Sequence, residues 1–163
     1  MMNKVVKGTL LFLLIYGLFS ISGFLFPIDQ EWYNSLDKPS WTPSGSIIGI
    51  IWAVLFAFIS LSIVLAWSSK GENPFPPLFW IIFIINYVTN QLFSFFQFEM
   101  KDLLLATIDT FLVAVTTGIL IILIRKYNKV SPWLLVPYLL WTTFATYLAF
   151  TFYRLNPTET FLM

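Results

Sequence analysis

Five apolar stretches of membrane-spanning length, residues 5–26, 44–67, 77–98, 102–124 and 133–152, constrain this chain more than any motif does. A hydrocarbon layer about 30 Å thick is crossed by about 20 helical residues. Unpaired backbone groups are too costly in lipid for irregular structure, and the runs are continuous rather than alternating, which excludes a transmembrane barrel. The sequence therefore predicts an all-α integral membrane protein, a single transmembrane domain over residues 1–163 built as a bundle of five transmembrane helices, with a long loop at 27–43. Composition agrees, since 58% of the residues are hydrophobic and only 10% are charged, too few to cover a soluble domain.

Lys4 and Lys7 before the first apolar run give it the look of a secretory signal, but the run is too long and Phe24-Leu25-Phe26-Pro27 is no small-residue cleavage site. It is expected to remain as a helix. Five spans put the termini on opposite faces. Lys4, Lys7, Lys70, Arg125, Lys126 and Lys129 fall on one side, and Lys38, Lys101 and Arg154 on the other. The bias predicts a cytoplasmic N-terminus, with the long loop and the C-terminus outside. Trp67, Trp80 and Trp133 then sit at helix ends on the cytoplasmic side, as anchors at the headgroup level. A formal net charge of +1 leaves no electrostatic footprint for nucleic acid.

The connections after the first loop are short, so consecutive helices are expected to be antiparallel neighbours. Gly45, Gly49, Ala53 and Ala57 form a ridge of small residues on the second helix, and Ala106, Thr110, Ala114 and Gly118 form another on the fourth. Both are expected to pack within the bundle, with pairing between two copies as the other reading. No internal repeat is visible, and an odd helix count argues against the inverted halves of a secondary transporter.

Polar and indole side chains inside the spans carry the functional signal, because they face an interior or a cavity. At about 1.5 Å rise per residue, Trp52, Asn90 and Asp109 all come out roughly 10 Å from the outer face, with Trp141 somewhat deeper. Their shared depth predicts a cavity that opens outward beneath the loop Trp32-Tyr33-Asn34-Ser35-Leu36-Asp37-Lys38-Pro39-Ser40-Trp41-Thr42-Pro43. Aromatic walls with a few placed polar groups suit an apolar ligand, and Phe56, Phe93 and Gln97 fall where they can line the same space. Asp109 needs a proton, a cation or hydrogen-bond donors there, with Asn90, Tyr147 and Lys38 as candidates. A structural carboxyl and a proton relay are both open. With no His and no Cys, the chain has neither the commonest zinc and haem ligands nor the groups of a nucleophilic triad. A flat tetrapyrrole would have to be held by stacking, enclosure and hydrogen bonds, for which Trp52 and Trp141 are suited.

These residues resemble the tryptophan-rich sensory protein and translocator protein family, the peripheral benzodiazepine receptor or TspO/MBR family. The resemblance rests on Trp32-Tyr33, Ser35-Leu36, Lys38-Pro39-Ser40-Trp41 and Pro43, followed by Trp52. It continues through Asn90, Phe98, Asp109, Pro137-Tyr138, Trp141, Phe144-Ala145-Thr146, Leu148 and Arg154. It implies a homodimer and a pocket for porphyrins and benzodiazepine-site ligands lined by Tyr33, Pro43, Trp52, Phe56, Asn90, Phe93, Gln97, Asp109, Trp141 and Ala145. The family's cholesterol motif fails here because Tyr153 and Arg154 are adjacent. Ser94 replaces a common proline and Ala149 a common asparagine.

The leading expectation is a membrane receptor or sensor for porphyrins and similar flat apolar molecules, with membrane lipid as its surroundings and no metal or required cofactor. Light- and oxygen-dependent porphyrin breakdown, with Trp52 and Trp141 as catalytic participants, is the alternative that the resemblance implies. Porphyrin or lipid transport is the third. A bacterial cell membrane suits the flanking charges, although relatives are associated with outer membranes.

Overall fold

The computed structural model describes residues 3–70 and 75–161; Gly71 and Pro74 of the second connection lie outside them. Eight segments follow in order: α1 (Lys4–Ser20), α2 (Ser22–Leu25), α3 (Gln30–Ser35), α4 (Gly45–Lys70), α5 (Pro77–Ser94), a π-helical turn (Phe95–Glu99), α6 (Leu103–Ile124) and α7 (Ser131–Leu155). Five of the resulting stretches are long and apolar enough to cross a membrane, and no strand occurs among the described residues.

The helix starts follow from local chemistry. Asn3, Asp29 and Asp102 each accept a hydrogen bond from a backbone N–H of the first turn, Val5, Trp32 and Leu105 respectively. Pro77 opens α5, where its missing N–H has no consequence. The first span is broken rather than continuous. At the break the Gln91 side chain takes the place of a helical neighbour, accepting from Ser22 N–H at 2.9 Å and donating to the Phe19 carbonyl at 3.1 Å. A side chain inserted into the backbone ladder is a recognised cause of a kink. Beyond α5 the π turn carries Gln97 and Phe98, so the third span changes pitch before it ends.

Packing runs in the order α1, α4, α7, α6, α5, and α5 returns to α1 and α2 through only a small contact. The second and third spans are therefore not close neighbours, contrary to the expectation from short connections. The second packs instead on the fifth. Ser62 and Ser131, both fully buried, each donate a hydroxyl to the other's backbone carbonyl at 2.8 Å. In lipid there is no hydrophobic drive between helices, so such bonds and close packing decide adjacency.

The small-residue ridge of α4 also departs from expectation. Gly45, Gly49 and Ala53 are exposed, and a Cβ placed on either glycine would meet nothing within 4 Å. Of the α6 ridge, Ala106 and Thr110 are buried, whereas Ala114 and Gly118 are only half-buried. Gly8 is instead the glycine packed against a neighbouring helix, where a Cβ would sit in ordinary contact, 3.4 Å from Val64 across the α1–α4 interface.

Ile15, Phe19, Leu55, Ile59, Phe79, Val113 and Tyr138 belong to the main core. A second cluster, Leu36, Leu103 and Phe152 with Trp32 and Tyr33 against it, fastens the long loop to one end of the bundle. At the opposite end Lys4 donates to the Ser68 carbonyl and Asn128 to Ser69. Trp133 and Trp80 are exposed there, while Trp67 packs on the core.

Candidate functional site

Trp52 of α4 and Trp141 of α7 meet edge to face, with ring centroids 6.4 Å apart and an interplanar angle of 88°. Trp52 also touches Phe56 at 5.5 Å and Tyr138 at 6.2 Å. Phe56 leads inward to Phe19, and Trp141 leads outward to Phe144. Phe144 in turn meets Trp41 of the long loop at 5.9 Å, and Trp41 stacks on Tyr147 at 5.4 Å. A chain of touching rings thus runs from the loop to the paired indoles.

Beside the indoles lies a buried polar network. Tyr138, fully buried, receives a hydrogen bond from Asn90 Nδ2 at 3.1 Å and donates to Asn86 Oδ1 at 3.3 Å. Asn86 donates to Thr116, Thr117 and the Val113 carbonyl, and Asn90 Oδ1 accepts from Gln91 Nε2. Three spans are cross-linked in this way, and Gln91 carries the network to the break in a fourth. Such interhelical bonds satisfy groups that lipid cannot.

Two atoms stand outside this satisfaction. Asp109 Oδ2 and Trp141 Nε1 are buried and have no hydrogen-bond partner among the described residues. None of the partners anticipated for Asp109 reaches it. Asn90 is engaged by Tyr138 and Gln91; Tyr147 lies exposed against Trp41; Lys38 sits 4.1 Å from the Tyr33 ring centroid and donates to Asn34. A buried acceptor and a buried donor left unpaired are costly unless something else completes them.

The remaining anticipated residues are spread more widely. Tyr33 stacks on Phe152, and Pro43 is half-buried at the end of the loop. Phe93 meets Phe98 edge-on, Gln97 is buried within the π turn, and Ala145 is half-buried on α7. Neither the Tyr33 nor the Phe93 ring touches the indole pair. A space of about 480 Å³ opens between α4 and α7, lined by Ile50, Val54, Phe58, Pro137, Trp141 and Phe144. Its rim includes Ile50 and Leu140, both strongly exposed, so it faces the membrane.

Asn86, Tyr138 and Phe144 had no role assigned from the sequence. Asn86 and Asn90 are one helical turn apart, which was the available signal for a shared polar face. Phe144 stood out only as part of the family resemblance, since its contact with Trp41 depends on the loop folding back.

At the loop, charge is well paired. Lys101 donates to Asp29 at 2.7 Å, and this bond together with the Trp32 N–H holds the Asp29 carboxyl below the usual carboxylate range. Burial disfavours ionisation of Asp102, but N–H donors from Leu105 and Phe161 and the Thr160 hydroxyl outweigh it and hold that carboxyl low as well. Burial alone pushes the Tyr33 phenol up.

Five membrane-length helices around an interior of indoles, amides and the Asp109 carboxyl, in a chain without histidine or cysteine, define an integral membrane protein with an aromatic and polar interior. The sequence pattern described as "TspO/MBR family" matches residues 9–154, and the chain belongs to that family. It is 53% identical to the tryptophan-rich protein TspO of Bacillus cereus over 150 residues, covering 92% of this chain and 97% of that one. It is 52% identical to the membrane protein YtaB of Bacillus subtilis over 158 residues, covering 95% and 99%. The human translocator protein is 27% identical over 143 residues, covering 86% and 83%.

Proposed function

We propose that this protein is a membrane receptor that binds porphyrins and similar flat apolar molecules at the Trp52–Trp141 pair. The observation that carries the reading is an unpaired buried donor, Trp141 Nε1, on one ring of the touching indole pair, with an unpaired buried acceptor, Asp109 Oδ2, on the adjoining helix α6. A ligand with both apolar faces and polar atoms supplies what each lacks, and sites of this kind recognise ligands through a few placed polar groups in an apolar wall. Since the two indoles touch, a planar guest enters by parting them, and the space beside Trp141 gives that ring somewhere to move. The protein is oriented with its N-terminus in the cytoplasm and the long loop outside, in a bacterial cell membrane.

Equilibrium titration of the reconstituted protein with protoporphyrin tests this. Binding quenches tryptophan fluorescence, and Trp52→Phe combined with Trp141→Phe weakens affinity at least about tenfold, while Trp133→Phe leaves it unchanged. Absence of quenching, or equal affinity in the double variant, contradicts the proposal. Illumination of the complex separates binding from breakdown, because only breakdown yields new products that depend on the indoles.

A further inference from the structure

Residues 156–161 leave α7 without regular structure and run between the long loop and the start of α6. On the α6 side every contact is made with an interior group. The Glu159 carbonyl accepts from Leu103 N–H at 2.9 Å. Asp102, 0% exposed, accepts from Phe161 N–H at 2.9 Å and from the Thr160 hydroxyl at 3.0 Å. That same carboxylate caps α6, so the segment is tied to a group the helix itself requires.

On the loop side the contacts are specific; the Trp32–Glu159 bond is half-buried like those to Asp102, and the contacts of Asn156 and Lys101 are more open to water. Glu159 Oε2 accepts from Trp32 Nε1 at 2.8 Å. Asn156 binds the backbone of Asp37 through both amide atoms, accepting from its N–H at 2.8 Å and donating to its carbonyl at 2.9 Å. Lys101, between the π turn and α6, adopts the left-handed conformation at φ 55°, unusual for a residue other than glycine. Its ammonium reaches both Asp29 and the Trp32 ring. The Asn156 bonds are exposed and the Lys101–Asp29 pair is about two-fifths exposed, the setting in which such contacts are individually weak.

The asymmetry points to a strap with a fixed end and a releasable end. We propose that residues 156–161 latch the 27–43 loop over the bundle, and that release of Trp32, Asp37 and Asp29 from Glu159, Asn156 and Lys101 is the motion that admits a ligand. The loop leads to the indoles through Trp41, Phe144 and Trp141, so lifting it uncovers the ring path that ends at Trp52. The second half of this inference rests on the binding reading; the first does not.

Hydrogen–deuterium exchange of the full chain in lipid nanodiscs tests the strap directly. In the double variant Asn156→Ala, Glu159→Ala, loop amides over 30–43 exchange at least about tenfold faster, with α6 and the body of α7 unchanged. Trp32→Phe, which removes one donor and keeps the packing ring, gives a smaller acceleration and decides the matter if the double variant does not fold. Wild-type exchange in the loop of the folded variants overturns the strap. Stopped-flow mixing with protoporphyrin then reads entry, and faster association in step with faster exchange is expected. Unchanged association despite a loosened loop overturns the entry step. Failure of the wild type to bind protoporphyrin contradicts the binding reading, while the exchange result still judges the strap.

Discussion

The unusual residues of this protein divide into those whose polar atoms are fully used and those whose atoms are not. Tyr138 belongs to the first group: its hydroxyl joins Asn86 and Asn90, and its ring supports Trp52. Tyr138→Phe keeps the ring but takes one partner from each amide, Asn86 Oδ1 and Asn90 Nδ2, so it should lower stability by about 1–2 kcal/mol in a thermal unfolding assay in detergent. Asp109 belongs to the second group, with Oδ2 unpaired. Asp109→Asn should leave thermal stability nearly unchanged while altering ligand affinity, the reverse of the Tyr138 pattern. Asp102 and Asp29 set the acid response of the loop. Both carboxyls are held below their ordinary range, so their stabilisation is complete above the ordinary value, about 4, and is lost as pH falls through the lowered values. Loop exchange should therefore be insensitive to carboxylate titration between neutrality and about pH 5 and accelerate only in stronger acid. Acceleration already at neutral pH would contradict this assignment.

Among the helices, what lipid imposes was legible in the sequence and what side chains at long range impose was not. The five spans follow from apolar length, because any backbone in the hydrocarbon must satisfy itself. The break after Ser20 does not, since its cause is Gln91, far along the chain. Nor does the pairing of α4 with α7, which the Ser62–Ser131 exchange holds where short connections suggested another neighbour. Small residues misled for the same reason: spacing reveals a ridge but not which neighbour meets it. Gly8 and Gly49 make the contrast measurable. Gly8→Leu pushes against Val64 and should cost about 1–3 kcal/mol, whereas Gly49→Leu enters open space and should stay within about 0.5 kcal/mol. Equal melting temperatures for the two would contradict the packing described.

For the molecule as a whole, the cluster of rings and amides was legible in part. Trp52, Phe56, Asn90 and Trp141 were each singled out by residue type and depth, and they do lie along connected contacts. Tyr33 and Phe93 engage other rings, because the loop packs first on Phe152 and the π turn brings Phe98 round to Phe93. What joins the scales is the path of rings from Trp41 to Trp52, bordered by the membrane-facing space beside Trp141. The most direct measurement is the separation of the two indoles in a structure of the protein bound to protoporphyrin. Trp52 and Trp141 should be parted well beyond their present 6.4 Å, with the porphyrin between them and Trp141 Nε1 hydrogen-bonded to it. Indoles still in edge contact, with the porphyrin lying only in the space between α4 and α7, would contradict the proposal.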